Sequence, residues 1–240
     1  AKLSGMRASI APFSFLELGA SRTVLFDGRN PSLPARDYPS AIFNPGFGDA
    51  VSHPEQRTNN LFGIDADLRL ANVDRYLLPS RDLRLYGEFY WDDTCGECVS
   101  TGPGHFFASN FLPLGRATGG VGGVQFLQLF GQEGLDGRLE YARTSAVSLN
   151  HFQFTDGYSS RGRVLSDFIG TEGRDYFGRL TARITPDFML GLDVERAIIG
   201  STAGNSSRPQ EERTGGAVDV SYRLLGRYSL FAQYALTRVK

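Results

Sequence analysis

Apolar and polar residues alternate with a period of two over stretches longer than an ordinary strand. In LFGIDADLRL, Leu61 to Leu70, the even positions carry Phe62, Ile64, Ala66, Leu68 and Leu70, and the odd ones Gly63, Asp65, Asp67 and Arg69. Successive side chains of a strand point to opposite faces, so the three charges share one face and the apolar residues the other. The pattern recurs. Phe13 to Phe26 sets Leu16, Leu18 and Ala20 against Glu17, Gly19 and Ser21, and Leu83 to Asp93 sets Leu85, Phe89 and Trp91 against Arg84, Tyr86 and Glu88. Leu135 to Val147 opposes Leu139 and Tyr141 to Arg138 and Glu140. Asp175 to Thr185 opposes Leu180, Ala182 and Ile184 to Arg179, Thr181 and Arg183, and Phe188 to Gly200 opposes Leu190, Leu192 and Val194 to Asp193 and Glu195. Thr214 to Leu225 sets Val218, Val220 and Tyr222 against Asp219 and Arg223, and Arg227 to Val239 sets Leu230, Tyr234 and Leu236 against Gln233 and Thr237. With Lys2 to Ser9 and the glycine-rich Arg116 to Gly131, about ten strands are expected, and no 3.6-residue stripe competes with them.

The same alternation suits a soluble sheet with its charges outward or a membrane barrel with its charges inward. Length separates the two. Strands of soluble sheets run about 5 to 6 residues, whereas these run roughly 10 to 13, the length a tilted strand needs to cross a bilayer. The connections alternate as well. They are short around Ala11-Pro12, Asn72 to Ser80, Gly131 to Gly134, Pro186-Asp187 and Gly226, and long across Asp27 to Asn60, Thr94 to Gly115, Ser148 to Arg174 and Ser201 to Arg213. Short turns on one side and long loops on the other are the habit of outer-membrane barrels. All eleven prolines fall in these expected connections, where a missing ladder donor is tolerated. Phe13, Phe15, Phe26, Tyr76, Trp91, Phe130, Tyr176, Phe188, Tyr222 and Tyr228 lie near strand ends, at the level of an interfacial girdle.

The reading that follows is an all-β transmembrane antiparallel up-and-down β-barrel, one domain over residues 1–240, in a bacterial outer membrane. Its apolar face meets lipid and lipopolysaccharide. The expected lumen charges are Asp65, Asp67, Arg69, Arg84, Glu88, Arg138, Glu140, Arg179, Arg183, Asp193, Glu195, Asp219 and Arg223. If the short turns are periplasmic, both chain ends fall on the outer side, whereas bacterial barrels have even strand numbers and periplasmic ends. Further strands are therefore expected at both ends.

Composition narrows the function. No run of 18 apolar residues exists, so a membrane-spanning helix is not expected, and 25 basic against 26 acidic side chains give no electrostatic case for nucleic acid. All basic residues except Lys2 and Lys240 are arginine, whose rigid fork suits carboxylates and sugars. Cys95 and Cys98, in DTCGECVS, are spaced to close a small disulfide, to act as a redox pair or to supply half a zinc site. The only histidines, His53, His105 and His151, lack the close spacing a zinc site uses, and no metal or other cofactor is expected.

The candidate for recognition is GYSSRGRVLSDFIGTEGRD, Gly157 to Asp175. Tyr158 can stack on a sugar ring, and Arg161 and Arg163, separated by Gly162, can fork onto carboxylate or phosphate. Alternatively, the arginines fold onto lumen carboxylates such as Asp193 or Glu195 and order the loop. With LFGIDADLRL, LRLYGEFYWDD, LEYARTSAV, VSYRLL and SLFAQYALTRV, this loop resembles the Wzi family of capsule assembly proteins. Tyr158, Arg161, Gly162, Arg163 and Gly170 occupy its recurring aromatic, arginine-glycine-arginine and glycine positions, while Ser166, Asp167 and Phe168 replace the histidine and proline common in its second half. The resemblance implies a barrel of about eighteen strands, occluded by extracellular loops and a periplasmic helical element, that binds capsular polysaccharide without catalysis; this chain would be its C-terminal part, less its end. The competing readings are a passive porin and a barrel that scaffolds another outer-membrane complex. A hydrolase is disfavoured, because Ser148, Asn150 and His151, three residues within four positions, do not easily converge on one reacting atom.

Overall fold

The computed structural model describes residues 2–27, 33–44, 58–76, 79–92, 118–145, 159–160, 163–164, 169–170, 172–200 and 210–240. Ten long strands form one antiparallel sheet: β1 (Lys2–Phe13), β2 (Leu16–Phe26), β3 (Thr58–Leu70), β4 (Ser80–Asp92), β5 (Thr118–Leu129), β6 (Leu135–Arg143), β9 (Arg174–Thr185), β10 (Phe188–Ile199), β11 (Glu211–Leu224) and β12 (Tyr228–Val239). Each pairs with its neighbour in chain order. The one interruption is a separate two-residue hairpin, β7 (Ser159–Ser160) with β8 (Arg163–Val164), inside the connection from β6 to β9. The sheet is open, with β1 and β12 at its edges.

Register keeps the two faces apart along the whole sheet. Asp65 stands opposite Glu88, Arg138 opposite Arg179 and Asp193 opposite Ala217, all on one face. The other face carries Leu18, Ile64, Leu139, Leu192, Val194 and Val218, each 40–57% exposed. A soluble sheet would cover such a face. Here it stays bare while Asp219 on the charged face is only 3% exposed, as expected if the sheet curves toward its charges and turns its apolar side to lipid.

Aromatic rings on the bare face gather at two levels. Toward the long connections, Phe62 stacks on Trp91 with centroids 5.8 Å apart, and Tyr141 meets Tyr176 at 5.1 Å. At the short-turn end, Phe13 stacks on Phe15 at 5.1 Å and Tyr228, opposite Leu224, is exposed, while Tyr76 and Phe130 are exposed in the turns themselves.

Four details differ from the alternation. The stretch Phe13 to Phe26 breaks at Ser14 and Phe15 because the Phe15 carbonyl accepts the Arg69 amide at 2.8 Å and pins a turn. Pro12 lies inside β1, not in a connection, where the register shifts between Ile10 and Phe13; an edge strand tolerates the missing donor. Phe26 is buried rather than part of a girdle, because α1 (Tyr38–Phe43), in the connection after β2, covers it. The turn from β3 to β4 contains a 3₁₀ segment, Val73–Tyr76.

Candidate functional site

On the inner face the charges form rows. Arg69, Arg84, Gln125, Arg138 and Arg179 are successive cross-strand neighbours on β3, β4, β5, β6 and β9. Arginines directly opposite each other repel, so this row holds only because carboxylates neutralise it. Asp67 accepts from Arg84 Nε at 2.8 Å and from Arg69 Nε at 3.2 Å. Glu140 accepts from Arg138, and both Asp193 oxygens accept from Arg179 Nη1, at 2.7 and 2.8 Å.

Among the described residues, side chains also meet across an intervening strand. Arg7 on β1 donates to both Asp65 oxygens on β3, at 2.6 and 3.1 Å, across β2. Tyr86 on β4 donates to Glu140 on β6 at 2.6 Å, across β5. Arg179 on β9 lies 2.8 Å from Asp219 on β11, across β10. Under each contact is a glycine. A Cβ at Gly19 would sit 2.2 Å from the Asp65 carboxylate, one at Gly123 2.4 Å from the Tyr86 ring, and one at Gly191 2.3 Å from Asp219 Oδ1. Strands two apart lie about 10 Å from each other, so these side chains meet only over a residue that lacks a side chain of its own.

The remaining expected lumen charges share this face: Glu88 opposite Asp65, Glu195 opposite Phe177 and Gly215, Arg183 opposite Met189, and Arg223 opposite Ser229. Among the described residues no group of three or more His, Cys, Asp and Glu is placed to hold a metal.

At the long-loop end, Ile169 is fully buried against Ala142 and Ala197, with Val121 and Ile199 beside them. Ala142 and Ala197 belong to the charged, inner face, opposite Asp175. The connection after β6 therefore returns to the wall from the inside. Gly170 follows in a left-handed conformation, φ +63°, and a Cβ at Gly173 would lie 2.7 Å from the Ile169 Cβ. Two hydrogen bonds close this base, Thr144 N to Gly173 O at 3.0 Å and Gly173 N to Thr144 Oγ1 at 2.9 Å.

The connection after β2 instead folds onto the outer face. Val24 and Phe26 pack under Leu33 and Ala41, and Arg22, on the same face, donates to the carbonyls of Ala41, Ile42 and Asn44 at the end of α1. Asp27, at φ 51°, clasps this unit. It accepts from the Leu33 amide at 3.1 Å and the Tyr38 hydroxyl at 2.6 Å, and pairs with Lys2 Nζ at 2.7 Å. The Lys2 ammonium, then the Tyr38 hydroxyl and Leu33 amide, hold its carboxyl well below the usual carboxylate range.

Of the loop residues singled out in the sequence, Arg163 lies in β8 with its backbone paired to Ser160, and Gly170 adjoins the Ile169 anchor. Tyr158, Arg161 and Gly162 lie outside the described residues, as do Cys95, Cys98, Ser148, Asn150 and His151. Sequence reasoning overlooked the anchoring role of Ile169, although an apolar Phe-Ile pair in a polar loop was a usable signal. It also passed over Arg7, because the nearest charges in its own strand gave no alternation to read.

A family model described as capsule assembly protein Wzi matches residues 1–240 of the chain. Comparison with curated proteins gave no match, and neither did comparison with solved structures.

Proposed function

The chain belongs to the Wzi family of capsule assembly proteins, and on that premise we propose that it is a non-catalytic outer-membrane barrel that binds surface polysaccharide. In this reading the bare apolar face meets outer-membrane lipid and lipopolysaccharide. The loop that carries Tyr158, Arg161 and Arg163 receives the glycan, the ring stacking on sugar and the guanidiniums forking onto its acidic groups. The observation that carries the proposal is the burial of Ile169 on the inner face. It ties the C-terminal base of that loop to the mouth of the barrel, where a surface polymer would be met.

The inner-face guanidiniums of Arg84, Arg138 and Arg179 are engaged by carboxylates of the wall itself. That commitment favours the loop over the lumen as the place where an acidic polymer is held. The test is replacement of Arg161 and Arg163 by alanine together. Retention of capsule on the cell should fall while the amount of barrel in the membrane is unchanged; equal loss of both would make the loop structural and sink the assignment.

A wet, charged inner face also suits a porin-type channel. Conductance of the full-length protein in a planar bilayer separates the two: a barrel that shows no steps supports the occluded, binding form, and steady ohmic steps support the channel.

A further inference from the structure

A cavity of about 280 Å³ opens at the short-turn end, between the turn from β3 to β4 and the turn from β5 to β6. Asp74, Ser80, Arg81, Gln128, Phe130 and Glu133 line it. Three features mark it as more than a gap between turns. Ser80 is 1% exposed and its hydroxyl has no hydrogen-bond partner among the described residues, an arrangement that costs stability unless something else occupies the site. The backbone of Gln128 and of Phe130 is left-handed, both at φ 54°, a strain that persists only where surrounding structure imposes it. Arg81, the one cation of this lining, donates to Gln128 Oε1 at 3.2 Å and keeps its charge, so the Asp74 and Glu133 carboxylates leave the lining with one negative charge in excess. Asp74 accepts only from the amide of Arg75, at 3.1 Å, among the contacts the structure gives it.

We propose that this cavity is a docking pocket for one arginine side chain of a protein on the short-turn side of the membrane. A guanidinium brings five donors and no acceptor, so it answers two carboxylates and an unpartnered hydroxyl together. Its flat face stacks on an aromatic ring, and the Phe130 ring is 74% exposed at the cavity. The volume is that of a single long side chain rather than of a folded surface, so the partner presents one residue here and supplies the rest of its contact elsewhere. That the partner is periplasmic rests on the membrane orientation proposed above; the chemistry of the pocket does not.

The test uses the full-length protein in detergent and two capped tripeptides, Gly-Arg-Gly and Gly-Gln-Gly, titrated by calorimetry or NMR. Saturable binding of the arginine peptide, at least about tenfold weaker in the double variant D74N/E133Q and several-fold weaker in S80A, is the expected result. Equal binding of the glutamine peptide, arginine-peptide binding unchanged in D74N/E133Q, or no saturation into the millimolar range would each overturn the proposal. Saturable binding of a neutral monosaccharide in place of the arginine peptide would overturn it too and mark a glycan subsite. None of these outcomes touches capsule retention, which is read from Arg161 and Arg163 at the opposite end, so the two proposals fail separately.

Discussion

Arg179 on β9 and Asp219 on β11 lie 2.8 Å apart with β10 between them, and their charges pass over Gly191. Asp219 is 3% exposed, so without that arginine its charge stands buried in the wall. A Cβ at position 191 would come within 2.4 Å of Arg179 Nη2 and 2.3 Å of Asp219 Oδ1. G191A should therefore cost about 3 kcal/mol, the low end for breaking a buried pair. G122A is the control, since a Cβ there meets nothing within 4 Å, and it should be neutral or slightly stabilising. Urea unfolding midpoints of the refolded protein in lipid vesicles decide; equal midpoints for the two variants would mean that Gly191 carries no packing role.

Which face meets lipid is tested at two neighbouring residues. Leu192 is 47% exposed on the apolar face, and L192R should destabilise the folded protein in vesicles by about 2–4 kcal/mol, as an arginine near the midplane of a barrel's lipid face does. A217R, on the opposite face beside Asp193, should cost less than half as much. The reverse order would place the charged face against lipid.

The inward anchor is tested at Ile169. I169A removes a fully buried side chain, a change that costs about 2–5 kcal/mol in a packed site, borne locally by the base of the loop. Hydrogen exchange at the Gly173 amide, which donates to Thr144 Oγ1, should accelerate by at least tenfold while the β10 and β11 amides keep their protection. If all slow down or speed up together, Ile169 stabilises the whole wall rather than the loop.

The Asp27 clasp predicts a pH dependence. The folded carboxyl is held below its ordinary value, so its contribution is complete above the unfolded value of about 3.9 and is lost as pH falls through the lower folded one. Protection of the Leu33 amide, corrected for intrinsic exchange, should be flat from neutral pH down to about 4 and fall only below that. In D27N it should be lower throughout and flat. A loss of protection centred between pH 5 and 7 in the unmodified protein would contradict this clasp.

Capsule assembly proteins of this family pose a wall problem, and most of the wall was legible in the sequence. Period-two alternation is a local property of a chain whose side chains flip at every residue, so the ten strands, the short and long connections and the composition of each face follow from counting along it. The two faces were readable at Leu61 to Leu70 because no neighbour is needed to define them. What Pro12 and Phe26 do was not, since an edge position and a covering helix are relations to other segments.

The candidate site divides in the same way. Tyr158, Arg161 and Arg163 stand out by residue type alone. That Arg7 meets Asp65, that Tyr86 meets Glu140, and that each crosses a glycine on the strand between, depends on register between strands far apart in sequence. Ile169 reads as half of an apolar pair with Phe168 in a polar loop until the fold places Ala142 and Ala197 beneath it. Alternation along the chain by itself determined the strands and their two faces; only the tertiary structure decided which residues meet across the wall and which loop turns inward, because strand register and loop return are set by contacts between distant segments, which no local period encodes.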